Sequence, residues 1–375
     1  MRIPLSVPVL AGNELAYLTE CIESTMVSSV GPFVTRLEVE FAAAVRMPYA
    51  VSTASGSAAL HVGLHAVGVG PGDEVWIPDS TFIATANAVA QCGASVVLVD
   101  SEPETGNVDP DLVASELRRR ADHGQLPAAI VPVHLYGHPA DLSWVSLARE
   151  MGVRVIEDAA EALGAEWTGT EHAGLSVGAA GDLGCFSFNG NKIITSGNGG
   201  MVVGSDQALL DAIRHLTTQA KVPGSDYEHD AVGFNYRLSN VSAALGVAQL
   251  EQLPDFVESR RSIAAEYERR LADVAGVRTM AESEWAHRSA WLSCVTFKSK
   301  ATRDAVRESL TGAGIESRPW WTPMHRQIPY CTAKRIGTGG VADQLADTGL
   351  CLPSTQGLGA DVELVVETLT RALGG

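Results

Sequence analysis

No two cysteines in this chain are spaced as CxxC; Cys21, Cys92, Cys185, Cys294, Cys331 and Cys351 are scattered singly. That scatter argues against zinc or a disulfide framework and reads as buried free thiols in a reducing cytoplasm, with no metal expected. Positive charge is scarce as well: 27 Lys and Arg stand against 44 Asp and Glu, a formal charge of −17. Such a surface disfavours nucleic acid and anionic membrane as partners, so an anionic ligand needs a local basic pocket. No apolar stretch approaches ~18 residues, and MRIPLSVPVLAGNE at the start has no apolar core of signal-peptide length. The expectation is a soluble, cytoplasmic protein. A Walker loop is missing, and GVGPGDE at 68–74 precedes its strand and holds the turn-forming Pro71-Gly72, so it is no dinucleotide fingerprint. A nicotinamide oxidoreductase is disfavoured on that ground. Internal repeats, low-complexity tracts and long linkers are missing too.

Glycine and short apolar runs are what the chain has instead. Of its 375 residues 37 are glycine, 46% are hydrophobic and 19% charged, the balance of a glycine-punctuated globular α/β protein. Length alone gives roughly two to three domains. Tyr49–Thr53, Glu74–Pro78, Ser95–Asp100, Ala129–His134, Val153–Glu157, Cys185–Phe188 and Met201–Val203 read as seven strands. Helical stretches separate most of them, which implies a mostly parallel sheet covered on both faces. A large domain, with its N-terminal arm, is expected over 1–250. The remainder, 251–375, reads as a smaller α+β domain, with a strand at Leu292–Lys298 and helices at Thr302–Ala313 and Val362–Leu373.

Residues 153–203 set an acid and a lysine on either side of a glycine-rich excursion. Val153–Ile156 ends in Glu157-Asp158, which puts Asp158 at the carboxyl end of a buried parallel strand, where open α/β sheets bind ligands. Cys185-Phe186-Ser187-Phe188 alternates as a strand and breaks at Asn189-Gly190-Asn191, so Lys192 falls on a constrained turn. A held, desolvated lysine can shed its proton and attack a carbonyl, while a carboxylate aimed at a pyridine nitrogen keeps that nitrogen protonated. The pair suits pyridoxal 5'-phosphate, which needs both. The plain alternative is a surface lysine and a strand-end aspartate that share no ligand. Upstream, Ala54-Ser55-Gly56-Ser57 opens a helix directly after the first strand. Free N–H groups and the positive dipole end make such a turn a phosphate seat, although a capping serine is commonplace.

EDAAEALGA followed by GDLGCFSFNGNKIITSGNGG resembles the sugar aminotransferases of the DegT/DnrJ/EryC1/StrS family, and the resemblance runs from about Pro4 to the C-terminus. It implies the fold type I of pyridoxal-phosphate-dependent transferases. It further implies that Asp158 pairs with the pyridine nitrogen and that Lys192 carries the cofactor. SGSAALH is similar to the family's SGTAALH, which makes Gly56, Ser57 and Ala58 the phosphate cradle. By the same resemblance Phe82 stacks on the pyridine ring and Ser187 bonds the phosphate. Asn235, in YEHDAVGFNYRLSN, would bind the phosphate of a neighbouring subunit, in a homodimer with shared active sites.

Two positions depart from the family's common wording. Members often read EDAAQ and GEGG, whereas this chain has Glu161 and Asn198; the resemblance puts Glu161 near the ring hydroxyl or the substrate. A branch that dehydrates sugars replaces the lysine with histidine, and Lys192 argues against that branch. VHLYGHPADL resembles VHLYGQPADM, with His134 either lining the pocket or capping a strand. Lys221 and Arg237 either supply the positive charge a nucleotide diphosphate requires or face solvent. RPWWTPMHRQIPY resembles the substrate-proximal segment, with Arg318, Trp320, Trp321 and His325 as contacts, though the tryptophans can equally pin two domains together.

The reaction so implied moves an amino group from L-glutamate to a nucleotide-linked keto-deoxysugar, at C4 of a 4-keto-6-deoxyhexose. Amination of a C3 ketosugar or a cyclitol is the alternative. A cofactor-binding regulator or scaffold without turnover is the alternative of another class.

Overall fold

The computed structural model describes residues 2–280, 282–337 and 339–374. Its strands are β1 (Tyr49–Thr53), β2 (Glu74–Pro78), β3 (Ser95–Val99), β4 (Ala129–Ile130), β5 (Arg154–Asp158), β6 (Glu166–Trp167), β7 (Leu183–Ser187), β8 (Gly200–Gly204), β9 (Val277–Thr279), β10 (Ala286–His287), β11 (Ser293–Phe297), β12 (Arg318–Pro319), β13 (Lys334–Ile336) and β14 (Gly349–Leu352). The helices are α1 (Glu14–Glu23), α2 (Pro32–Ala44), α3 (Gly56–Ala66), α4 (Ala84–Gln91), α5 (Pro110–Ala121), α6 (Val145–Glu150), α7 (Gln207–Thr217), α8 (Asn240–Leu250), α9 (Leu253–Leu271), α10 (Lys300–Gly312), α11 (Val341–Thr348) and α12 (Asp361–Gly374).

Eight strands form the main sheet in the order β1-β8-β7-β5-β4-β2-β3-β13, one more than the seven read from sequence. All seven are present, and the eighth is β13, which pairs parallel with β3 through Lys334↔Val97 and Ile336↔Val99. Its Lys334-Arg335 are exposed, so no apolar run announces it; backbone pairing at the sheet edge holds it. Antiparallel pairing is confined to β8, which runs against both β1 and β7. β4 stops at Ile130, earlier than expected, because Pro132 has no N–H to give the ladder.

Alternation along the buried strands divides the interior between two faces. Val97, Val99, Val155, Phe186 and Val203 pack on one side with α2, α6 and α8. On the other, Val96, Leu98, Ile156, Cys185 and Val202 pack against α3 and α4. A third core lies beyond residue 250, where the sheet β12-β14-β11-β9 is covered by α9, α10 and α12. We propose the division at residue 250, with residues 334–336 crossing back to the larger sheet. Because β1, β2, β5 and β7 share one direction, their carboxyl ends bring Ser55, Thr81, Asp158 and Ser187 to one rim.

Candidate active site

A cavity of about 380 Å³ opens at this rim. Its floor begins at α3. Ser55 is the N-cap and its Oγ accepts from Ala58 N at 3.1 Å. Ala58, the third residue of the expected cradle, has its N–H on the cap and does not line the cavity. Gly56 and Ser57 do line it, with amides in the unpaired first turn of the helix. Gly56 has to be glycine, since a Cβ there would stand 2.7 Å from Ser187 Cβ. The close approach brings Ser187 beside the helix terminus.

Asp158 lies deeper and is 5% exposed. Its Oδ2 accepts from Thr85 Oγ1 at 2.8 Å and its Oδ1 from Ala160 N at 3.1 Å. Burial pushes its carboxyl up, against the pull of those two donors and of Lys192. Lys192 is 14% exposed along its side chain and faces the cavity. Burial draws its amine below the ordinary range, opposed by Glu161 and Asp158. Nζ stands 3.9 Å from Glu161 Oε1 and 3.9 Å from the centroid of Trp291. Glu161 itself is buried, its Oε2 accepting from Tyr136 N at 2.8 Å, and its carboxyl is raised by that burial. Two carboxyl groups and one amine thus line the same cavity, each with its charged form disfavoured by burial.

Phe82 projects over the cavity, 50% exposed, with its ring 5.3 Å from that of Trp321. Arg318 stands at the mouth, and Asn189, Asn191 and Asn198 complete the wall.

Other expected contacts lie elsewhere. His134 is fully enclosed: Nε2 bonds Glu157 Oε2 at 2.8 Å and Nδ1 accepts from Ala140 N at 3.0 Å, so both ring nitrogens are spent away from the cavity. Trp320 is buried with Nε1 donating to Ser80 Oγ at 2.8 Å, pinning β12 to the end of β2; its neighbour Trp321 lines the cavity instead. His325 is held between Asp79 and Asp343, with Nδ1 2.5 Å from one and Nε2 3.2 Å from the other. That clasp leaves the ring outside the cavity. Lys221 is exposed beside Tyr227, and Arg237 is paired with Glu38 at 2.8 Å. Asn235 is exposed and bridges to Thr218, likewise outside the cavity of its own chain.

Three residues at the site escaped the sequence. Thr85 lies one helical turn after Thr81, a spacing that was readable once Asp158 was known to need a donor. Trp291 comes from the C-terminal region with no motif around it. Tyr136, at φ 53°, supports Glu161 through its N–H and Trp321 through its hydroxyl, which accepts from Trp321 N at 2.9 Å. Among the described residues, no cluster of three His, Cys, Asp or Glu is placed to hold a metal, and no helix is long and apolar enough to cross a membrane. Five cysteines are buried and Cys331 is exposed.

The model of the DegT/DnrJ/EryC1/StrS aminotransferase family matches residues 8–370. The chain belongs to that family. GDP-perosamine synthase of Caulobacter vibrioides is 39% identical over 99% of this chain and 98% of its own. Among solved structures, the aminotransferase TlmJ of Streptoalloteichus hindustanus is 32% identical with a TM-score of 0.91, covering 99% of both chains. DesV of S. venezuelae is 30% identical with a TM-score of 0.86, covering 98% of both. It is a pyridoxal-phosphate-dependent aminotransferase of fold type I. The donor set fits the cofactor: a helix terminus for an anion, a cradle that a Cβ would fill, an ionisable lysine and a buried acid.

Proposed function

We propose that this aminotransferase takes its amino group from L-glutamate and delivers it to C4 of a nucleotide-linked 4-keto-6-deoxyhexose. The observation that carries the reading is the gathering of Lys192, Asp158 and Glu161 in one cavity that Arg318, Phe82, Trp291 and Trp321 also line. Support for the acceptor comes from the 39% identity, over nearly the whole chain, to a protein named GDP-perosamine synthase.

Bound pyridoxal phosphate supplies a carbonyl for the amine and a ring that receives the electron pair of the donor's α-carbon. With the cofactor bound, Lys192 Nζ would anchor it and would carry a proton between that α-carbon and the cofactor C4'. Its lowered pKa keeps a share of the amine neutral for this task. Asp158 would hold a proton on the pyridine nitrogen, with the Thr85 hydroxyl favouring and aiming its carboxylate. Gly56, Ser57 and Ser187 would receive the phosphate. Phe82 would limit the tilt of the ring, and Glu161 would take the ring hydroxyl or substrate. Arg318 faces the acceptor's negative charge. Glutamate leaves as 2-oxoglutarate, and the ketone leaves as the amino sugar.

We propose further that the enzyme works as a cytoplasmic homodimer, Asn235 of each subunit completing the phosphate site of the other, with Lys221 and Arg237 adding positive charge for the nucleotide. An absorbance titration tests the acceptor: holoenzyme with L-glutamate, then nucleotide 4-keto sugars, 3-keto sugars and a cyclitol ketone in turn. Return of the original band with the 4-keto sugar alone is expected. Return with a 3-keto sugar or cyclitol alone sinks the C4 reading, and no response to glutamate sinks the donor.

A further inference from the structure

Arg260, in the middle of α9, is fully buried and has no carboxylate partner among the described residues. Each of its four hydrogen bonds goes to a neutral acceptor. Nη1 donates to Trp291 O and, at 2.9 Å, to Ser354 O; Nη2 donates to Ser6 Oγ at 3.1 Å and to Gln356 Oε1 at 3.2 Å. Nε finds no partner there. Burial without a counter-ion lowers the guanidinium to about 9. Stability gives little reason for this arrangement, because well-packed apolar residues commonly do as well as buried charges.

Three of those four partners lead on to the turn that carries Lys192. Ser6 Oγ donates to Asn191 O at 2.8 Å. Trp291 Nε1 donates to the same carbonyl at 2.7 Å, while its ring lies against Lys192 Nζ. Gln356 Nε2 donates to Ile193 O at 3.0 Å. The carbonyls on both sides of Lys192 are therefore each one residue removed from a single cation. A cation that donates to a hydroxyl or an amide also strengthens the bond which that group donates onward. Only a planar fork reaches four acceptors from two nitrogens; an ammonium has three donors on one atom. The relay draws on segments far apart in sequence: the N-terminal arm through Ser6, the β11 approach through Trp291 and the stretch after β14 through Gln356.

We propose that Arg260 is a positioning residue for Lys192, clamping both flanking carbonyls through Ser6, Trp291 and Gln356 so that Nζ is held at its working place. The proposal rests on the reading of Lys192 as the cofactor-bearing lysine. That premise is checked first in the wild-type holoenzyme by borohydride reduction and peptide mass mapping. A cofactor trapped on another lysine overturns premise and proposal together.

With the premise met, Arg260→Met is compared with wild type on folded, cofactor-loaded protein. Expected is retention of trapped cofactor on Lys192, an about 100-fold fall in the rate of the glutamate half-reaction and a KM for glutamate within about threefold of wild type. The pH midpoint of the bound-cofactor absorbance band should move as well. A purely structural arginine would lower activity only in proportion to the protein that fails to fold, and would leave that midpoint in place. Should Arg260→Met not fold, Ser6→Ala combined with Gln356→Met cuts two relay arms while leaving the arginine. That double variant is expected to slow the half-reaction at least about tenfold, again with a moved midpoint. Wild-type rate and midpoint in the folded variant overturn the proposal.

Discussion

Lys192 Nζ stands 3.9 Å from Glu161 Oε1 and equally far from the face of Trp291, so a single amine lies between a carboxylate and an indole. Both neighbours favour the ammonium, and burial opposes them and prevails. Glu161→Gln removes the larger of the two carboxylate influences that hold the amine's pKa up. The pKa should fall further, and a greater share of Nζ is then neutral near pH 7. Because the neutral amine is the nucleophile, capture of pyridoxal phosphate by the apoenzyme should become faster at pH 7, with its pH midpoint moved down. Stopped-flow capture across pH measures this; an unmoved midpoint would show that Glu161 and Lys192 are not coupled.

Asp158 depends on two donors to remain ionised while buried. Thr85→Val removes the one at 2.8 Å and leaves only the N–H of Ala160. Hydrogen bonds to charged groups contribute about 1.5–3 kcal/mol, so the acid is held up more strongly once the hydroxyl is gone. As the ionised form is the working one, the acid limb of the pH–rate profile should shift to higher pH. A roughly tenfold loss at pH 7 is expected, recovered in part at higher pH. A uniform loss at all pH values would argue that Thr85 shapes the cavity and does not tune Asp158.

How legible the site was depends on where each group comes from. Asp158, Lys192, Gly56 and Phe82 sit at strand ends or helix starts inside continuous motifs, where local pattern and position in the fold coincide. Trp291, Tyr136 and Arg260 reach the site or its support through tertiary packing alone, and no spacing in the chain relates Trp291 or Arg260 to Lys192. His134 lies in an equally readable motif that left two roles open, because alternation past a proline-broken strand does not reveal that the ring turns to Glu157. The same limit hid β13, whose place is decided by an unpaired edge of β3 and not by its own residues.

Gly56 is the point at which the phosphate seat can be tested without altering a charged group. Ala at this position would drive a methyl to 2.7 Å from Ser187 Cβ, and either α3 or the end of β7 must retreat. Each charge-assisted N–H bond lost to the phosphate corresponds to about 10- to 100-fold in affinity. Gly56→Ala is accordingly expected to weaken cofactor binding by at least about tenfold in equilibrium dialysis on folded apoenzyme, with some loss of thermal stability from the forced retreat. Unchanged affinity would remove Gly56 from the cradle.

Asn235 offers the sharpest test of a shared site, because it lies outside its own chain's cavity while Lys192 lies inside. Around it the chain exposes apolar side chains that a partner subunit would cover, Tyr227 at 91% and Val232 at 83%. If each site takes Lys192 from one subunit and Asn235 from the other, Lys192→Ala and Asn235→Ala homodimers have two defective sites each. Mixing them with free exchange gives hybrids in about half the dimers, and every hybrid has one intact site and one doubly defective site, so about a quarter of wild-type activity should return. Borohydride trapping reports the same event chemically, since only Asn235→Ala subunits can bear the adduct and only those paired with a Lys192→Ala subunit have a complete phosphate seat. Activity that stays at the level of the separate variants, after mass spectrometry has shown hybrid dimers to form, would mean that Asn235 serves its own subunit or none.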